Sequence, residues 1–64
     1  MIYIRKRRER IGLTQVQLAD KLNISKNLLC MYEAGKATPR AEKLPDIAAA
    51  LGCTIDDLYR EEGA

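Results

Sequence analysis

TQVQLADKLNISKNLLCMYEAG, residues 14–35, decides how this chain folds. Thr14 followed by Gln17 is a capping box, in which the hydroxyl accepts from the Gln17 N–H and the Gln17 amide reaches back to the Thr14 N–H. Leu18, Ala19 and Leu22 then form an apolar stripe at helical spacing. Asn23 can close that helix, and Ser25 is a good N-cap for another that stops at Gly35. Only Asn23 and Ile24 separate the second helix from the cap of the third, so the two must cross steeply. Ala19 is small enough to let them approach closely.

That is the helix-turn-helix arrangement, and the flanks extend it with more helix. Upstream, the spacing predicts a helix from about Ile2 to Ile11, with Ile4, Arg8 and Ile11 along one side and Gly12 as a left-handed end. Downstream, Pro39 and Pro45 interrupt the chain; the Pro45 ring would clash with the Ala41 carbonyl in a continuous helix. A turn over Arg40 to Glu42 is expected instead, then a helix from about Lys43 with Pro45 in its first turn. Leu44, Ile47, Ala48 and Leu51 share one face of it, and Gly52 ends it. Thr54 caps a last helix, where Asp56 and Asp57 suit the N-terminal dipole and Leu58 anchors to the core. No alternating strand pattern competes, so the expectation is an all-α domain of five helices over residues 1–64.

Sixty-four residues is one domain, near the lower limit for folding without staples. There are no histidines, and Cys30 and Cys53 do not have a zinc spacing or make a disulfide framework. Two cysteines without such a framework suit a reduced, intracellular setting. The longest apolar run, Ile47 to Leu51, is far too short to cross a bilayer, and the basic start MIYIRKRRER lacks the apolar stretch of a signal peptide. Met1 and the polar ending REEGA are read as the ends of an intact short chain. Net charge is +2, yet residues 1–40 hold nine Lys/Arg against three Asp/Glu, while residues 41–64 hold two against six. A basic half suits a polyanion, although a solvated helix face would look the same.

The third helix carries four apolar residues in a row, Leu28 to Met31. At about 100° per residue from Leu29, Asn27 and Met31 fall opposite it, with Ala34 and Cys30 at their flank. Leu29 therefore belongs to the core with Tyr32 beside it, and Leu28 to an edge against the fourth helix. Lys26, Asn27, Cys30, Met31 and Ala34 remain for a partner. Lys26 can donate to guanine or phosphate and Asn27 can pair with adenine, though each is also an ordinary polar residue of a first turn. Met31 could pack on a thymine methyl or on a protein surface.

IRKRRERIGLTQVQLADKLNIS, then S-x-x-x-L-x-x-Y-E-x-G, then TPRAEKLPDIAAALGCTIDDL form a recognisable frame. Over nearly its whole length the chain resembles the phage-repressor/Cro family of helix-turn-helix DNA-binding domains, with a lambda-repressor-like fold. The resemblance implies a sequence-specific regulator, a repressor, that reads operator DNA in the major groove with residues 25–34, as a two-fold homodimer. It implies DNA contact by Gln15, Ser25, Lys26, Asn27, Met31, Lys36 and Arg40, and a structural ion pair between Arg8 and Glu33. As bare residues, Gln15 is a polar first-turn side chain and Arg40 a surface arginine. Of the basic cluster Arg5, Lys6, Arg7, Arg8 and Arg10, one or two side chains, with Arg7 and Arg10 as candidates, would reach phosphates. Any dimer would use the domain itself, around the last helix and Tyr59.

No nucleophile–base pair, paired catalytic carboxylates or phosphate loop is visible, so no enzyme, cofactor, metal or small-molecule ligand is expected. The expected setting is the cytoplasm, with double-stranded DNA as partner and no membrane. The competing reading is a protein-interaction module of the same fold, of antitoxin or adaptor type, that uses the Cys30–Met31 face.

Overall fold

Three hydroxyl caps and four left-handed residues set the helix boundaries in the computed structural model, which describes residues 2–60. The helices are α1 (Ile4–Arg10), α2 (Gln15–Leu22), α3 (Lys26–Ala34), α4 (Leu44–Leu51) and α5 (Ile55–Leu58), with a 3-10 turn at Ala41–Lys43. Thr14 and Thr54 each sit in a complete capping box, with Gln17 and Asp57 reaching back, and Ser25 Oγ accepts from the Leu28 N–H. Gly12, Asn23, Gly35 and Gly52 all have positive φ. At each of them the following residue's N–H donates to a carbonyl five residues back, as in Ile24 to Ala19 at 3.0 Å and Lys36 to Met31 at 2.9 Å. These bonds satisfy carbonyls that a helix end otherwise leaves without partners.

The core takes one fully buried side chain from each of four helices: Ile4, Leu18, Leu29 and Leu58. Helix α4 adds Leu44, Ile47, Ala48 and Leu51, so it runs through the centre. Each buried Leu or Ile side chain contributes about 1.5–3 kcal/mol on burial, which lets a chain this short fold without a disulfide. Cys30 and Cys53 are both free thiols. Pro45 lies in the first turn of α4, where a missing N–H costs nothing.

Several boundaries differ from the sequence reading. Helix α1 begins two residues later than expected, because the Tyr3 N–H leaves helical geometry to donate to Leu58 O at 2.7 Å. Ile11 does not join Ile4 and Arg8 in the core; the chain unwinds into the Gly12 turn and leaves Ile11 47 % exposed. Tyr32 is half-buried rather than buried. Leu28 is half-buried at the edge toward α4, near Ile47 and Leu22. No helix among the described residues is long and apolar enough to cross a membrane.

At the N-terminus of α5, the Thr54 N–H and hydroxyl hold the Asp57 carboxyl below the usual carboxylate range. Since its folded pKa is depressed, the group adds stability above its unfolded pKa and loses it as pH falls through the folded one. Asp57→Asn is therefore expected to flatten the acid side of the stability curve, measured by melts from about pH 5 to pH 2. The same acid loss in both proteins would reject this role.

Candidate nucleic-acid interface

The candidate surface is built on α3. Its Ser25 cap fixes the start, the Gly35 turn fixes the end, and Leu29 fixes the rotation by facing wholly inward. Lys26, Asn27 and Ala34 are then exposed, and Met31 is 41 % exposed. Met31 is the one large apolar side chain exposed on α3.

Beneath this surface lies a chain of polar side chains from three helices. Arg8 of α1 donates to Glu33 of α3 through Nε to Oε2 at 2.7 Å and through NH2 to Oε1 at 3.1 Å. Its third nitrogen donates to Leu13 O at 2.8 Å, which ties in the link before α2. The two side chains keep only 10 % and 4 % of their surface. The hydrogen bonds to Glu33 hold the Arg8 guanidinium above its ordinary pKa, despite the cost of its burial. Among the described residues no buried side-chain polar atom lacks a partner.

Gln15, the first residue of α2, joins the same cluster. Its Nε2 donates to Glu33 Oε1 at 3.0 Å, and its Oε1 accepts from Cys30 Sγ at 3.3 Å. The expectation that Cys30 faces a partner alongside Met31 therefore changes: the thiol turns back toward α2. Sequence reasoning missed this bond because the two residues lie on different helices, 15 positions apart. These groups line an open hollow of about 600 Å³ that also takes in Arg5, Thr14 and Ala34.

The remaining candidates are placed more loosely. Lys36 follows the Gly35 turn and Arg40 precedes the 3-10 turn; both are exposed, and neither lines this hollow. Arg7 turns the other way, with Nε donating to Asp57 O at 3.2 Å, so it braces α1 against α5 instead of reaching toward α3. Arg5 lies 3.5 Å from Glu9 on an exposed face, and Lys6 sits over the Tyr3 ring at 5.8 Å. Arg10 is exposed. Among the described residues no group of three acidic, His or Cys side chains could hold a metal ion.

Two short helices crossing at a tight left-handed turn, with one capped face left open, define a helix-turn-helix domain. The Helix-turn-helix family model matches residues 4–58. The repressor RstR of the cryptic CTXphi phage of Vibrio cholerae is 43 % identical over 51 residues, covering 80 % of this chain and 46 % of that protein. The immunity repressor of Bacillus phage phi105 is 41 % identical over 59 residues, covering 92 % and 39 %. The solution structure of the P22 C2 repressor DNA-binding domain superposes with a TM-score of 0.87 at 26 % identity, covering 97 % and 82 %. The chain belongs to the helix-turn-helix family, and the two phage proteins it matches are repressors. It spans less than half the length of the two phage repressors it matches.

Proposed function

We propose that this chain is a sequence-specific, double-stranded DNA-binding transcriptional repressor that acts in the cytoplasm and sets α3 in the major groove. The observation that carries the reading is the division of α3: Leu29 wholly buried, with Lys26, Asn27, Met31 and Ala34 left outside. A helix about 10–12 Å across fits the roughly 12 Å major groove, and small Ala34 lets it settle. Lys26 and Asn27 supply donors for base edges or phosphates, and Met31 offers contact to a thymine methyl. Ser25, Lys36 and Arg40 serve as further contacts at the ends of the helix and beyond it. Gln15 is the contact from α2, where first-turn N–H groups also favour an anion.

The repressor acts as a homodimer on a palindromic operator, with half-sites about one helical turn apart. The last helix and Tyr59 form the contact between copies. Tyr59 is 51 % exposed and borders a hollow with Ile2, Tyr32 and Pro39, which supports this placement. The alternative of a protein-docking face at Cys30 and Met31 loses support, since the Cys30 thiol is engaged by Gln15.

Selection from a random duplex pool, repeated across salt, tests the reading. A palindromic site should emerge, with log affinity falling by about 0.9 per phosphate neutralised for each unit of log salt. Asn27→Ala should relax preference at one base pair by about 1–3 kcal/mol, while Gln15→Ala should weaken all sites more evenly. Failure to select any duplex at any salt would overturn the proposal in favour of a protein partner.

A further inference from the structure

We infer that Cys30 is a positioning residue for DNA contact, acting through the side-chain amide of Gln15. This rests on the DNA reading above. The Gln15 amide is held at both ends, by Glu33 Oε1 accepting from Nε2 at 3.0 Å and by Cys30 Sγ donating to Oε1 at 3.3 Å. Reversing the amide would set Oε1 against the Glu33 carboxylate, acceptor facing acceptor. Arg8 keeps that carboxylate in place through two bonds of its own. Donors thus point one way through the cluster, from Cys30 to Gln15 and from Gln15 to Glu33, where Arg8 meets them from the other side.

Cys30 matters because Glu33 alone fixes only one end of the amide. A single hydrogen bond leaves the Gln15 side chain free to swing about Nε2, and the thiol removes that freedom. An amide nitrogen carries two hydrogens, and Glu33 takes one of them. The second hydrogen belongs to a group that lines the open hollow beside Ala34 and Thr14. Held rigidly there, it is a preset donor for a phosphate oxygen, so binding need not first order the side chain. Its neighbours are first-turn N–H groups of α2, of which the Gln17 N–H is taken by Thr14 Oγ1 at 3.1 Å and the earlier ones lack intrahelical acceptors.

The helical wheel places position 30 at the flank of the reading face, where a polar side chain would be expected to address DNA itself. The structure gives it a different task. Cys30 reaches the target through Gln15, and its contribution to affinity should disappear when Gln15 is absent.

The test compares Cys30→Ala, Cys30→Ser, Gln15→Ala and the double variant Cys30→Ala/Gln15→Ala with the unaltered chain. Binding to the selected operator, thermal melting and the order parameter of the Gln15 side-chain amide in the free protein are measured. Cys30→Ala should bind about two- to tenfold more weakly, the cost of ordering one freed side chain on binding, and its Gln15 amide should become more mobile. Cys30→Ser keeps a donor and should recover most of the loss. The double variant should bind no more weakly than Gln15→Ala alone. Unchanged affinity in Cys30→Ala, an unchanged amide order parameter, or a loss that adds in full to that of Gln15→Ala would each overturn the inference while leaving DNA binding intact. Absence of duplex selection by the unaltered chain would instead overturn the DNA reading, and this inference with it.

Discussion

Glu33→Ala should lose at least about 3 kcal/mol of stability, the usual cost of removing one partner of a buried ion pair. For a chain of this size the whole margin is about 3–10 kcal/mol, so much of the population would unfold on modest warming. The cause is the orphaned partner. Arg8 is nearly sealed off, and without Glu33 it keeps only its bond to Leu13 O. Gln15 Nε2 loses its acceptor in the same stroke. Arg8→Ala should also destabilise, but less, since Glu33 still accepts from Gln15. The double variant should be less damaged than the two single losses combined, by about 1–3 kcal/mol of coupling. Glu33→Gln, which keeps an acceptor and drops the charge, should fall between the unaltered chain and Glu33→Ala. Urea or thermal melts decide the matter, and strictly additive losses would show that the two side chains do not act as a unit.

Leu29→Ala and Met31→Ala should produce opposite results, although the residues stand two apart on one helix. Leu29 is fully buried among Ile4, Leu18 and Leu58, so truncation should cost about 2–5 kcal/mol through lost burial and a residual cavity. Met31 stands 41 % exposed, so its truncation should change stability by about 0.5 kcal/mol or less. In DNA selection the order reverses. Met31→Ala should fold normally and lose preference at one thymine-bearing position, whereas Leu29→Ala, where folded, should keep the same site. Should Met31→Ala prove the less stable of the two, the rotation assigned to α3 would be wrong.

The caps at Thr14, Ser25 and Thr54 were legible because each needs only a hydroxyl and the three residues after it. The left-handed ends were legible for the same reason, since Gly and Asn tolerate positive φ at little cost. Leu29 and Met31 separated by helical geometry alone. Ile11 misled because spacing extends a stripe past the point where the helix stops; the Gly12 turn swings that residue out. The later start of α1 and the tie of Arg7 to α5 were not legible, because both depend on contacts about fifty residues away along the chain. The Gln15–Cys30 bond was hidden more deeply. A wheel shows the direction in which Cys30 points, but not which helix stands across from it. The frame of the candidate surface could therefore be read locally, while its internal wiring depends on how three helices meet.

The bond from Tyr3 N to Leu58 O closes the fold into something like a clasped bracelet. Its two strands of backbone, at opposite ends of the described chain, lie within one hydrogen bond of each other. Anything joined before Tyr3 and anything joined after Leu58 would leave the domain from one shared exit. A longer protein built on this frame would hang its other parts from that single point, and pulling on both ends would strain this clasp before it strained α3. Helix α3 would then stay in place while its attachments swing.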